Sequence, residues 1–161
     1  MVVSENLLKW AMRLYPPLFF QRIWVKQFDK GFTGVHVAIF KSFLNTNYNK
    51  SIFGGTIFSA SDPFYALLFD QLFRRKGFKV RVWLKSADIQ YKKPGRTDLH
   101  FKISLSEEEI NEAEHSLRTV GKFVKAFPVE ILNSNGELCA FVINEVYVRN
   151  LHSGEERTVA Y

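Results

Sequence analysis

Apolar residues recur along this chain with two different periods, and the switches between them mark its elements. Behind Ser4, which suits a helix N-cap, apolar side chains at 7, 8, 11 and 14 share one face and predict a short amphipathic helix. Pro16-Pro17 ends it. From Arg22 the period falls to two: Ile23 and Val25, then Val35, Val37 and Ile39, alternate with polar or small residues around Asp29-Lys30-Gly31, which predicts a hairpin. Ser42 to Ile52, with Asn45, Asn47 and Asn49, is too polar and irregular for strand or helix and reads as a loop.

A helical period then returns for the longest apolar run. Ile57, Ala60, Phe64, Leu67, Leu68 and Leu72 predict one face of a helix over 56–76, closed by Arg74-Arg75-Lys76 and Gly77. Pro63 leaves two geometries open: a helix that begins at Asp62-Pro63, or one that starts near Thr56 and kinks. Beyond it, Val80, Val82 and Leu84, later Ile89 and Tyr91, predict a strand that ends at Lys93-Pro94-Gly95-Arg96. Leu99, Phe101, Ile103 and Leu105 form the next strand. Ser106-Glu107-Glu108-Glu109 has the form of a capping box and opens a second helix over about 106–118. Strands over 122–132 and 137–149 meet at Asn135-Gly136, and the last four strands are expected to pair as an antiparallel meander. The 161 residues read as a single domain, with a helical lead-in over 1–21 and a loose tail over 151–161.

Composition narrows the function classes. Sixteen phenylalanines make a bulky core and leave room for a second subunit to cover part of the surface. The formal charge of +6 favours anionic partners without choosing among them. A nucleic-acid role lacks both a recognition motif and a clustered basic stripe. One cysteine, Cys139, excludes an intrachain disulfide and a cysteine-built zinc site, and the expected location is the cytoplasm. His36, His100, His115 and His152 have no ligand spacing, so no metal site is expected. No apolar run reaches the length of a membrane span; for the lead-in helix, core packing is preferred over membrane association.

The candidate chemistry lies at Phe53-Gly54-Gly55-Thr56. A glycine pair lets backbone approach a ligand, and the free N–H groups of a helix start suit an anion. Asp62 follows two turns later in an otherwise apolar or hydroxylated run. The alternative for Asp62 is structural, since Asp-Pro is also a common N-cap followed by a first helical residue.

These motifs, in this order, resemble the hotdog-fold thioesterase-like superfamily. Gly54, Gly55 and Asp62 keep the spacing of the phenylacetate-degradation type, in which His-Gly-Gly precedes the aspartate; Phe53 stands in place of that histidine. Gly-Gly with Asp-Pro, Lys93-Pro94-Gly95-Arg96, the acidic helix and the closing strand from Asn144 to Arg149 are similar to a bacterial, largely uncharacterised branch. The resemblance spans about residues 20–150. It implies an α+β fold: an antiparallel β-sheet wrapped around a long central helix, with the lead-in helix and a second short helix beside it.

It also implies a homodimer, or a tetramer, with an acyl-thioester such as an acyl-CoA in a channel between subunits. The amides at Gly55 and Thr56 would form the oxyanion site, and Asp62 of the partner subunit would be general base or nucleophile. Asn47, Phe53 and Gly54 are the expected substrate contacts, with Asn45 and Asn49 as alternatives for the asparagine. Lys92, Lys93 and Arg96 are candidates for the coenzyme's phosphates. Coenzyme A enters only as part of the substrate and no other cofactor is expected. The competing expectation is a non-catalytic hotdog module that binds an acyl or other hydrophobic ligand.

Overall fold

The computed structural model describes residues 1–152. The expected loose tail lies, from residue 153, outside the described residues. The elements are α1 (Glu5–Leu14), α2 (Pro16–Phe19), β1 (Ile23–Phe28), a 3-10 turn (Lys30–Phe32), β2 (Gly34–Ile39), α3 (Gly54–Ser61), α4 (Pro63–Arg75), β3 (Val80–Tyr91), β4 (Leu99–Ser104), α5 (Glu107–Thr119), β5 (Lys122–Asn133) and β6 (Leu138–Asn150). Six strands form one antiparallel sheet in the order β1-β2-β4-β5-β6-β3.

That order corrects the expected meander. β4, β5 and β6 follow one another, but β3 lies at the far edge beside β6, because α3 and α4 carry the chain across the sheet before β3 begins. The apolar parity of β3 also changes along its length. A bulge between Leu84 and Ser86 moves the inward positions from Val80, Val82 and Leu84 to Ala87 and Ile89.

The sheet wraps around α4, whose Phe64, Phe69 and Phe73 are fully buried. Phe69 meets Phe73, Phe123 and Phe127 at ring separations of 5.9, 5.8 and 5.5 Å. Much of the aromatic excess is therefore core. Tyr65 stacks on Phe127 at 4.7 Å and donates to the Pro128 carbonyl at 2.9 Å, so its hydroxyl keeps a partner inside. Pro128, which has no N–H, stands where β5 has parted from β4; those strands pair only at Leu99 and His100.

The α5 capping box forms as read, with Ser106 Oγ accepting from the Glu109 amide at 3.1 Å and the Glu109 carboxylate accepting from the Ser106 amide at 2.8 Å. The lead-in helix departs from expectation. Leu8 and Met12 pack against the core, but no α1 residue is fully buried, and Leu7, Trp10 and Leu14 face outward. Its Arg13 donates to the carbonyls of Val25 at 2.8 Å and Lys26 at 3.3 Å, occupying acceptors on the edge strand β1. No helix among the described residues is long and apolar enough to cross a membrane.

Candidate active site

The helix over 56–76 exists in its kinked form. α3 begins at Gly54, α4 at Pro63, and Asp62 between them keeps right-handed helical angles (φ −63°, ψ −55°) with its own N–H bonded to the Phe58 carbonyl. Pro63 has no N–H to give the preceding turn, so the bend is the expected result. Asn144, fully buried on β6, reaches into the bend and donates from Nδ2 to the Ser61 carbonyl at 2.9 Å. No protein donor meets its Oδ1 among the described residues.

Asp62 does not cap its helix. Its side chain makes no cap hydrogen bond and no ion pair among the described residues. The residue is exposed at its outer surface, yet its carboxyl lies low enough among its neighbours that desolvation lifts its pKa above the ordinary 3.8. The Asp-Pro pair therefore does not act as a side-chain cap here, and the carboxylate stands at the bend without a compensating donor among the described residues.

At the other end of α3 the glycine pair has a packing reason as well. The Tyr91 hydroxyl donates to the Gly54 carbonyl at 2.9 Å, and a Cβ on Gly54 would lie 3.0 Å from that oxygen. The exposed Phe53 ring lies over Gly55 so closely that a Cβ there would fall 2.4 Å from it. The amides of Gly54 and Gly55 have no acceptor among the described residues, whereas the Thr56 amide already donates to the Phe53 carbonyl at 3.0 Å. The free donors thus lie one residue earlier than the Gly55-Thr56 pair expected. Thr56 itself is buried.

Beside this helix start is a cleft of about 260 Å³ lined by Asn47, Ser51, Ile52, Gly54, Ile57 and the segment from Tyr91 to Gly95. It brings together Asn47, Gly54, Lys92 and Lys93 of the predicted set. Phe53, Gly55, Thr56, Asp62 and Arg96 are not among its lining residues, and Arg96 is exposed on the neighbouring turn. Asn47 Oδ1 is occupied in holding the loop, accepting from the amides of Asn49 and Ser51 and from Ser51 Oγ. Asn45, one of the alternatives, is a buried brace that donates to the carbonyls of Gln21 and Phe40.

The two lysines differ. Lys93 is paired with Glu137 at 2.5 Å, whereas Lys92 bonds only the neutral Gln90 at 2.6 Å and keeps its charge available. Tyr91 and Asn144, which hold the two ends of α3, were not singled out in the sequence. Tyr91 counted there only as the end of a strand, and Asn144 only as the start of a motif.

A six-stranded antiparallel sheet around a central helix, with paired glycines at the helix start, defines a hotdog fold. Residues 4–148 match the family described as Domain of unknown function (DUF4442), and the chain belongs to it. Among solved structures, it is similar to a Pseudomonas aeruginosa protein described as a probable thioesterase (TM-score 0.83, 16% identity, covering 93% of this chain and 98% of that one). It is also similar to a Haemophilus influenzae thioesterase (0.68, 11%, 94% of each chain). A third likeness is the Escherichia coli PaaI protein of the phenylacetic acid degradation operon (0.58, 15%, 92% of this chain and 96% of that one). No curated protein sequence matches the chain.

Proposed function

We propose that this protein hydrolyses an acyl-thioester, an acyl-CoA being the preferred class, at a site completed by a second copy of the chain. The observation that carries the reading is Asp62: a carboxylate with a raised pKa and no structural partner among the described residues, on the helix whose first amides are free. Those amides, from Gly54 and Gly55, would stabilise the oxyanion formed at the thioester carbonyl. Asp62 would draw a proton from the attacking water, or attack the carbonyl itself.

One chain cannot supply both groups to one carbonyl. Seven residues separate Gly55 from Asp62, about 10 Å along a helix axis, whereas reacting atoms must approach to about 3–3.5 Å. A second copy would bring its own Asp62 to the first copy's helix start. β3 supports such pairing: it is an edge strand of 12 residues, and its inward Val82, Leu84, Ala87 and Ile89 are only half-buried. In this arrangement Lys92 would meet the negative phosphates of the coenzyme at the cleft mouth.

The test is turnover of an acyl-CoA panel by the wild type and by Asp62→Asn, alongside sedimentation of both. A fall in turnover of about 10²–10⁴-fold with the dimer intact is expected. Equal turnover by the two proteins would remove Asp62 from the mechanism. A copurifying acyl ligand that is bound but never hydrolysed would favour a binding module, the reading suggested by the Phe53 ring packed over Gly55.

A further inference from the structure

The whole of the chain's formal charge lies in one part of its sequence. Residues 6–61 contain seven lysines and arginines and a single acid, Asp29, which accounts for the full +6; the remaining residues balance. Among the described residues none of those seven, Lys9, Arg13, Arg22, Lys26, Lys30, Lys41 and Lys50, forms an ion pair, and Asp29 faces Lys102 at 3.9 Å. Four of them, Lys9, Arg13, Arg22 and Lys26, lie on α1, on β1 or on the turn that joins α2 to β1.

The same region exposes an unusual amount of apolar surface. Leu7, Trp10 and Leu14 form the outer stripe of α1, and Phe19 and Phe20 continue it with their rings edge to face at 5.5 Å. Leu14 and Phe20 are 65% and 62% exposed, too open to count as core. Cations are interleaved with the rings. Arg13 lies 4.6 Å from both Trp10 and Trp24, and Lys26 is 4.7 Å from Phe40. Phe19, Arg22, Trp24 and Phe40 line one hollow of about 170 Å³, which makes the surface continuous. Asn45 ties the next loop to Gln21 and Phe40, and that loop presents Phe43, 89% exposed.

We propose that this face docks on an anionic lipid bilayer. Tryptophan and phenylalanine favour the headgroup region, while lysine and arginine bury their stems and keep their charges at the phosphates. A surface that combines an apolar stripe with unpaired cations meets both requirements of an interfacial helix, apolar insertion and attraction to anionic lipid. α1 is suited to insertion because its other stripe, Leu8 and Met12, anchors it to the core. The loop that carries Phe43 also carries Asn47 and Ser51 of the cleft, so the docked face borders the site. This inference stands independently of the hydrolase reading.

Flotation of the full chain with vesicles of phosphatidylcholine alone, or mixed with phosphatidylglycerol, tests it. Binding to the mixed vesicles, weakening as salt rises, is expected, with a blue shift of tryptophan emission. Lys9→Glu with Lys26→Glu should lower partitioning by about tenfold or more. Trp10→Ser, Leu14→Ser and Phe20→Ser together should abolish the blue shift, with folding checked by circular dichroism. Absence of binding at low salt, or equal binding to both vesicle types, would overturn the proposal. So would self-association of the wild type that is lost in the apolar triple variant without any vesicle binding, which would make a second copy the occupant.

Discussion

Replacing Asn144 by aspartate changes one atom's chemistry at the bend that sets the direction of Asp62, with almost no change of shape. In the wild type, Nδ2 donates to the Ser61 carbonyl at 2.9 Å from a side chain with no solvent exposure. A protonated carboxyl at this position keeps the bond, because its O–H reaches the same carbonyl. An ionised one turns negative oxygen toward it in a buried site. The folded-state pKa of the Asn144→Asp variant is therefore raised above about 4, the unfolded value. Between those two values the native state holds a proton that the unfolded chain has lost, so stability falls as pH rises.

The magnitude follows from burial. An uncompensated buried charge costs about 3–5 kcal/mol, a large part of the roughly 5–15 kcal/mol that a domain has in total. For a chain of this length, each kcal/mol is worth about 2–4 °C in Tm, so the expected loss at pH 8 is roughly 6–20 °C. Near pH 4 the variant should melt close to the wild type. Asn144→Leu, which leaves the Ser61 carbonyl without its donor, should cost about 1–3 kcal/mol at every pH. Thermal melts followed by circular dichroism from pH 4 to 8 separate the two. A constant difference between Asn144→Asp and the wild type across that range would refute the reasoning.

Three further outcomes are expected. Asp62 has a raised folded pKa, so its ionisation removes stability as pH rises from about 3.8; Asp62→Asn should melt higher than the wild type at pH 8 and equally below that window, measured in the same melts. Glu5 has the opposite sign. The Arg75 guanidinium, with the Gly31 amide, holds its carboxyl down to about 2 from 4.5, so the clasp between α1 and α4 is complete above 4.5 and is lost as pH falls toward 2. The pair is partly open to water and worth about 1 kcal/mol or less, so hydrogen exchange of residues 5–14 is the suitable readout. Lys92→Ala should raise KM for an acyl-CoA by about fivefold, and that for the matching acyl-pantetheine little, whereas Lys93→Ala should matter less because Glu137 already holds that lysine.

Local patterns in the chain carried most of the fold. Alternation located the first four strands and Asn135-Gly136 the turn between the last two, the Ser4 and Ser106 caps located two helix starts, and Pro63 narrowed the central helix to two geometries. The bulge of β3 went unread, although the apolar positions change parity between Leu84 and Ile89. Partners distant in the chain were not legible. Ser61 and Asn144 meet across 83 residues, and Gly54 and Tyr91 across 37, with nothing in their local spacing to connect them. The place of β3 beside β6 depends on where α4 sets the chain down, which periodicity does not encode. α1 misleads for another reason: 7, 8, 11 and 14 read as one face, but apolar residues at 7, 10 and 14 and at 8 and 12 make two stripes, and the tertiary structure turns only the second inward.

The hold of Arg13 on β1 has a consequence for growth by strand addition. A sheet with two receptive edges can recruit copy after copy into a fibre, but here the outer carbonyls of Val25 and Lys26 are already taken. If β3 joins its counterpart in a second molecule, the doubled sheet presents a guarded β1 at both ends and elongation stops there. In that arrangement one guanidinium on the lead-in helix would favour a finite particle over a polymer.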